Sequence, residues 1–279
     1  MKPARFSYYR ATTVADAISL LTEFGDDAKL IAGGQSLTAM MAFRLARPEH
    51  LVDIAHIDGL NDIRRDGTAL RIGALVTHHA VEKADLGPEF AVLSRTMRWI
   101  GHLPIRTRGT VGGSLAHADA TAEWCSLARL LDAQIVAEGP AGRRTVPASE
   151  FFLAPYTTAL HPDEMIVEIV FPRPAPHAAL AEYADRQGDF AIVSAAVDLA
   201  GRPNRPGPPW VVLGGVAGTP LAVEVDDSVW DPTAADRYSR VAAAVATQVE
   251  IRDDGEFDAH YRRGLVRTLV QRACEEAAA

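Results

Sequence analysis

Residues 108–119 read Arg108-Gly109-Thr110-Val111-Gly112-Gly113-Ser114-Leu115-Ala116-His117-Ala118-Asp119, and residues 32–37 read Ala32-Gly33-Gly34-Gln35-Ser36-Leu37. Each stretch places paired glycines and a hydroxyl where a strand or loop is predicted to lead into a helix. Glycine lets the backbone approach a ligand closely and adopt positive φ, and the N–H groups of such a turn hold anionic oxygens. Two stretches of this kind predict a ligand with two phosphates.

The spacing of these glycines excludes the two commonest nucleotide-binding motifs. No Lys-Ser or Lys-Thr pair follows either stretch as a P-loop requires, and neither contains Gly-x-Gly-x-x-Gly. A glycine pair alone is weak evidence for a phosphate site, because glycine most often marks a turn.

Composition limits the classes of function that remain. The chain has 279 residues, is 48% hydrophobic and carries a net charge of −8. It has no run of Lys and Arg, so we do not expect a nucleic-acid partner. It also lacks an apolar stretch of about 18 residues and an apolar N-terminal segment, so neither a transmembrane helix nor a signal peptide is predicted. Cys125 and Cys274 form no Cys-x-x-Cys motif, which predicts no metal site in this chain and a cytoplasmic location.

Hydrophobic periodicity predicts alternating strands and helices followed by a more strand-rich segment. Predicted strands cover 29–32, 51–54, 63–65, 70–72, 134–137, 144–146, 166–171, 190–193 and 210–213. Predicted helices cover 14–24, 37–45, 77–83, 90–100 and 120–131, with one more beginning at the Asp231 cap and one near the C-terminus. Pro172, Pro174 and Pro176 predict a linker. The predicted domains are therefore 1–173, with lobes of about 1–55 and 56–173, and 178–279, which contains a loop at 201–209.

Residues 30–37 and 106–119 resemble the two flavin-binding motifs of the FAD-binding medium subunits of molybdenum hydroxylases, of the carbon monoxide dehydrogenase and xanthine dehydrogenase types. Further similar segments follow in the same order at 100–102, 158–164, 186–191, 213–216 and 261–263. The resemblance covers nearly the whole chain. It implies an α+β protein with a vanillyl-alcohol-oxidase-like (PCMH-type) FAD-binding fold of two α/β lobes, followed by a smaller α+β flavoprotein C-terminal domain.

The resemblance also assigns FAD-contacting residues by position. One side of the pyrophosphate and the nearby ribose would be wrapped by Leu30, Ile31, Ala32, Gly33, Gly34, Gln35, Ser36 and Leu37. The other side would be bound by Thr110, Val111, Gly112, Gly113 and Ser114. The resemblance implies that four further residues lie around the flavin ring and the sugar hydroxyls: Ile100, Glu123, Leu160 and Glu182. No side chain of this chain is assigned a catalytic or metal-binding role.

Some assignments leave alternatives open. His117 is interpreted as making a structural hydrogen bond, with flavin contact as the alternative. His78 and His79 are interpreted as a solvated pair. One carboxylate of Asp119 and Glu123 is expected to cap a helix and the other to accept a ribose hydroxyl. Glu182 stands near a position where the family often has lysine, which removes a positive charge from the surroundings of the flavin.

The function implied by the resemblance is electron transfer through bound FAD. A large subunit would carry the molybdopterin cofactor, a small subunit would carry [2Fe-2S] clusters, and the assembly would be a dimer of heterotrimers. The flavin would pass electrons to an external acceptor. Two alternatives remain: a self-sufficient FAD-dependent oxidoreductase, and a scaffold subunit with a degenerate flavin site.

Overall fold

The computed structural model describes residues 2–202, 207–251 and 257–279. A small parallel sheet comes first, with strands β1 (Ser7–Arg10), β2 (Ala28–Ile31) and β3 (His50–Asp53) in the order β1-β3-β2. Helices α1 (Val14–Phe24) and α2 (Leu37–Ala42) provide its connections. Helix α1 begins with a capping box, since Thr13 accepts from the Asp16 N–H and the Asp16 carboxylate accepts from the Thr13 N–H.

The second sheet is antiparallel and contains five strands. They are β4 (Ile63–Asp66), β5 (Ala69–Gly73), β6 (Gln134–Gly139), β7 (Gly142–Pro147) and β10 (Met165–Phe171), in the order β4-β5-β10-β6-β7. A two-stranded hairpin, β8 (Phe152–Ala154) and β9 (Thr157–Thr158), lies between β7 and β10. The intervening helices are α3 (His78–Lys83), α4 (Ala91–Thr96), α5 (Leu103–Arg106), α6 (Val111–His117), α7 (Glu123–Leu130) and α8 (Ala148–Phe151).

A four-stranded antiparallel sheet forms the C-terminal part. Its strands are β11 (Ala178–Tyr183), β12 (Val193–Asp198), β13 (Trp210–Gly214) and β14 (Leu221–Val223), in chain order. Helices α9 (Arg237–Gln248) and α10 (Ala259–Ala278) follow. Ala195, Val197 and Val211 pack with the two helices, whereas Ala196 and Val212 pack into the core of the second sheet. Because side chains alternate across a strand, this sheet is buried on both faces.

The predicted proline-rich linker is packed against the protein. Ala175 is buried in the core, and its N–H donates to the Glu89 carbonyl at 2.8 Å. The Nη1 atom of Arg173 donates to the buried Asp198 carboxylate at 2.8 Å. The segment between β10 and β11 is therefore bonded both to Glu89, which precedes it in the chain, and to Asp198, which follows it.

The prediction of an α+β fold is confirmed, but several predicted elements were displaced. The strand predicted at 190–193 begins at Val193, and β11 and β14 were not predicted. The predicted helix cap Asp231 instead accepts from the Thr233 N–H in a turn, and α9 begins only at Arg237. Helices predicted at 37–45, 90–100 and 120–131 are shorter, and the predicted loop at 201–209 lies partly outside the described residues.

Candidate functional site

The first glycine stretch forms a turn with free backbone donors. It leaves β2 and enters α2, with Gly34 at φ +71°. The N–H groups of Gly33, Gly34, Gln35 and Ser36 donate to no acceptor among the described residues. The Gln35 side chain donates back to the Gly33 carbonyl at 2.9 Å, which fixes the turn. A half-exposed turn with four unpaired N–H groups suits an anionic ligand.

The two glycine stretches, far apart in sequence, touch at Gly33. A Cβ atom added to Gly33 would lie 1.9 Å from the Arg108 carbonyl oxygen and 2.9 Å from the Gly109 Cα atom. Contacts this short are available only to glycine, so the backbone of one stretch rests directly on the other. The structure thus brings together the two stretches that the sequence assigned to one ligand.

The second stretch corrects the expectation of a second set of free donors. Thr110 caps helix α6 by accepting from the Gly113 N–H at 3.1 Å. The Val111 N–H donates to the Val76 carbonyl at 3.0 Å, and the Gly112 N–H to the Ala74 carbonyl at 2.9 Å. These N–H groups therefore dock α6 onto the end of β5 and are not available to an anion, and Gly112 and Gly113 lie in a helix without positive φ.

The paired glycines of this stretch play different structural roles. A Cβ on the buried Gly112 would lie 2.8 Å from the Ala74 carbonyl oxygen, so this glycine permits close packing of α6. Gly113 is exposed, and a Cβ there would meet only the Thr110 hydroxyl. Together with the half-buried Ser114, Gly113 forms the surface that this stretch presents to a ligand.

His78 supports the second stretch from behind, a role that sequence reasoning missed. It is 5% exposed, so the interpretation of His78 and His79 as a solvated pair is wrong for His78. Its backbone N–H donates to the Gly109 carbonyl at 3.0 Å, and its Nδ1 atom accepts from Trp124 Nε1 at 3.0 Å. Burial, with a smaller effect from the Arg106 charge, lowers the pKa of His78 to about 4 and keeps the ring neutral.

The segments around Ile100 and Gly188 also meet beside this stretch. The Nη1 atom of Arg106 donates to the Gly101 carbonyl at 3.0 Å, while its Nε atom donates to the Glu82 carboxylate at 3.2 Å. A Cβ on Gly188 would lie 3.0 Å from the Gly101 carbonyl carbon. Half-buried Ile100 is thereby placed where the C-terminal part approaches the second glycine stretch.

The structure does not show the hydrogen bond expected of His117, and the Leu160 N–H is already bonded within the chain. The expected structural hydrogen bond of the His117 ring is not found among the described side chains; the ring instead lies 5.1 Å, centroid to centroid, from that of Tyr156. Burial lowers the pKa of His117, and the Asp119 charge opposes this effect. The Leu160 N–H already donates to the Thr158 hydroxyl at 3.3 Å.

The expectation that Asp119 or Glu123 caps a helix is not met by Asp119. The Asp119 carboxylate accepts from the Thr121 N–H at 2.9 Å and does not cap α7, whose cap residue is Ala122.

Glu182 on β11 is buried, whereas Glu123, the first residue of α7, is half-buried. Glu182 is 5% exposed, and in the described part of the chain its Oε2 atom has no hydrogen-bond partner. Burial, and then the Glu123 charge, raises the pKa of Glu182 to about 9. Burial, and then the Asp119 charge, raises the pKa of Glu123 to about 7.

Comparison with known proteins identifies the family of this chain. Residues 4–174 match the FAD-binding domain of molybdopterin dehydrogenases, and residues 178–277 match the C-terminal domain of the carbon monoxide dehydrogenase flavoprotein. The chain belongs to the FAD-binding medium subunits of molybdenum hydroxylases. This medium subunit is an oxidoreductase subunit, and the resemblance seen in its sequence is confirmed.

Individual relatives cover the medium subunit over its full length. It is 38% identical to the 6-hydroxypseudooxynicotine dehydrogenase complex subunit alpha of Paenarthrobacter nicotinovorans, covering 99% of this chain and 96% of the relative. It is 36% identical to the carbon monoxide dehydrogenase medium chain of Afipia carboxidovorans, covering 100% and 99%. A solved carbon monoxide dehydrogenase structure from Hydrogenophaga pseudoflava superposes with a TM-score of 0.91 at 34% identity, covering 100% and 99%.

Proposed function

We propose that this medium subunit carries electrons from iron–sulfur clusters of a partner subunit, through FAD, to an external acceptor. The four unpaired N–H groups of the first glycine stretch are the observation that supports this most strongly. They fit the pyrophosphate of FAD, which needs donors that the protein has not already used. Bound FAD supplies the redox chemistry, and the protein supplies its binding and orientation.

The residues proposed to hold FAD line the contact between the two glycine stretches. Residues 30–37 supply the free backbone donors, and Thr110–Ser114 supply the opposing surface through Gly113 and Ser114. Ile100, His117, Glu123 and Leu160 are proposed to lie along the rest of the cofactor. Glu182 is proposed to lie near the flavin ring and to act on it without direct contact, because its own carboxyl is buried. The proposed domains are 1–173 for FAD binding and 178–279 for the C-terminal part.

The proposed partners are a large subunit with the molybdopterin cofactor and a small iron–sulfur subunit, assembled as a dimer of heterotrimers in the cytoplasm. The relatives include the medium chain or medium subunit of carbon monoxide dehydrogenase and nicotine 6-hydroxylase, and the beta subunit of caffeine dehydrogenase. Their named substrates differ, which supports a substrate site on another subunit. None of the described helices is both long and apolar enough to cross a bilayer, and both cysteines are free.

We expect the purified chain to hold one FAD without a covalent bond. The proposed site rests on backbone donors, and Cys125 and Cys274 are both buried. Acid precipitation followed by chromatography of the supernatant measures the released flavin. Yellow flavin retained in the pellet would show a covalent bond, and a folded chain that takes up no added FAD would favour the degenerate scaffold instead.

We expect the chain isolated from its source cell to migrate with two other subunits. Native mass spectrometry measures the masses, and metal analysis of the same material measures molybdenum and iron. A chain that migrates alone, contains FAD and oxidises a small substrate at full rate would contradict the subunit proposal and favour a self-sufficient flavoenzyme.

A further inference from the structure

The turn that carries Ile100 is bonded to a single arginine side chain. The Nη1 atom of Arg106 donates to the Ile100 carbonyl at 3.3 Å and to the Gly101 carbonyl at 3.0 Å. Within the turn, the Ile100 N–H donates to the Met97 carbonyl at 3.2 Å, and Gly101 adopts a φ of +49°. Two successive carbonyl groups thus accept from one charged nitrogen, which holds the backbone of the turn in one conformation.

A carboxylate on α3 orients this guanidinium group. The Oε2 atom of Glu82 accepts from Arg106 Nε at 3.2 Å, and His79 Nδ1 lies 3.1 Å from the same oxygen. The side chains of Arg106 and Glu82 are 15% and 23% exposed, so water screens this ion pair less than a surface pair. Because the guanidinium group is a rigid plane, fixing Nε also fixes the direction in which Nη1 donates.

The turn also lies close to two other segments of the candidate site. A Cβ on Gly188 would lie 3.0 Å from the Gly101 carbonyl carbon, so the C-terminal part rests against the turn. Helix α3 contacts the second glycine stretch as well, because the His78 N–H donates to the Gly109 carbonyl at 3.0 Å. One short helix therefore supports both the turn of Ile100 and the beginning of the second glycine stretch.

We propose that Glu82 is a positioning residue for the flavin ring, because through Arg106 it fixes the turn whose Ile100 side chain packs against that ring. The inference rests on the proposed function, in which Ile100 lies along the cofactor. The pyrophosphate is bound separately by the turn of residues 33–36. Among the described residues, neither Glu82 nor Arg106 is hydrogen-bonded to that turn. Loss of the Glu82 carboxylate should therefore weaken binding of the flavin end of FAD and leave binding of the ADP end unchanged.

Paired titrations of the full chain with FAD and with ADP test the proposal, since ADP shares the adenosine and pyrophosphate of FAD and lacks the flavin. Calorimetry measures both affinities after the bound FAD has been removed. Glu82→Ala should bind FAD about tenfold more weakly, the size expected for loss of a hydrogen bond to a charged group, and should bind ADP as the wild type does. Glu82→Gln keeps an oxygen that can accept from Arg106 Nε, so its loss of FAD affinity should be only about threefold. If Glu82→Ala does not fold, Glu82→Gln provides the same comparison of the two ligands.

A second variant tests whether Glu82 acts through Ile100. Ile100→Ala shortens the side chain and leaves the backbone hydrogen bonds of the turn in place, so it should weaken binding of FAD and not of ADP. Glu82→Ala added to Ile100→Ala should then lower the FAD affinity by much less than tenfold further, because the side chain that it positions is already absent.

The control and the contrary results are distinct. Glu150→Ala removes an exposed carboxylate elsewhere and should bind both ligands as the wild type does. Wild-type FAD affinity in both Glu82 variants, an equal loss of FAD and ADP binding, or a full tenfold effect of Glu82→Ala in the Ile100→Ala background would overturn the inference. A folded wild-type chain that binds neither FAD nor ADP would refute the proposed function itself, and the inference with it.

Discussion

Gly33→Ala should lose FAD almost completely. The added Cβ would lie 1.9 Å from the Arg108 carbonyl oxygen, a backbone atom that no side-chain rotation can move. The two glycine stretches would have to separate by more than about 1 Å to restore van der Waals distance. We expect the affinity for FAD to fall by about 100-fold or more, which is about 2.7 kcal/mol, with a loss of folding stability of about 1–3 kcal/mol. Flavin fluorescence titration and urea unfolding measure the two effects.

Two further variants separate the contact from the turn. The Cβ added by Gly34→Ala would contact only the side chains of Ile31 and Thr38, but alanine is strained at the φ of +71° that this residue adopts. This variant should therefore bind FAD more weakly than wild type and more tightly than Gly33→Ala. Gly264→Ala lies in α10 with nothing within 4 Å of the added atom and should behave like wild type. Wild-type FAD affinity in a folded Gly33→Ala variant would refute the proposed site.

Lowering the pH from 7.5 to 4 should destabilise the protein through His78. The unfolded chain binds a proton at this residue with its ordinary pKa near 6.5, whereas burial lowers the folded pKa to about 4. Between these values the unfolded state binds more protons, so stability is retained above pH 6.5 and lost as the pH falls. A difference of this size corresponds to about 3 kcal/mol.

His78→Asn isolates this contribution. Its amide oxygen can accept from Trp124 Nε1 where Nδ1 does in the wild type, at 3.0 Å, but it cannot take up a proton. The loss of unfolding free energy between pH 6.5 and 4 should therefore be smaller in this variant by about 3 kcal/mol. His102→Asn, at an exposed histidine, serves as the control. Equal pH dependence in His78→Asn and wild type would contradict the buried neutral histidine.

The sequence predicted elements with strong local signals and missed those set by packing. Helix α1 starts at the capping box of Thr13, and β4 and β5 flank the turn after Asp66. These signals are local, and a helix and two strands were predicted there. Strand β11 reads Ala-Ala-Leu-Ala-Glu-Tyr, which has little β-propensity; it becomes a strand because both of its faces are covered. The residue pattern of the strand itself does not show that other elements will pack on both of its faces.

The candidate site shows the same division. The glycine-rich turn of residues 33–36 was visible in the sequence because it rests on backbone conformation. The N–H groups of Val111 and Gly112 donate to the carbonyls of Val76 and Ala74. The sequence did not predict these hydrogen bonds, because the acceptors lie more than thirty residues away. Nor was the burial of His78, because a histidine at the start of a short helix has no pattern that separates a core position from a surface one.

The packed segment between β10 and β11 has a consequence for electron tunnelling, whose rate falls steeply with distance. Arg173 ties the segment to Asp198, and Ala175 ties it to Glu89. The side of the chain that holds the glycine stretches and the side that follows Ala178 are thus joined without a free hinge. If the chain works as the proposed electron-transfer subunit, we expect the distance between its flavin and the partner's clusters to be set by docking of the folded chain, without movement of one half against the other.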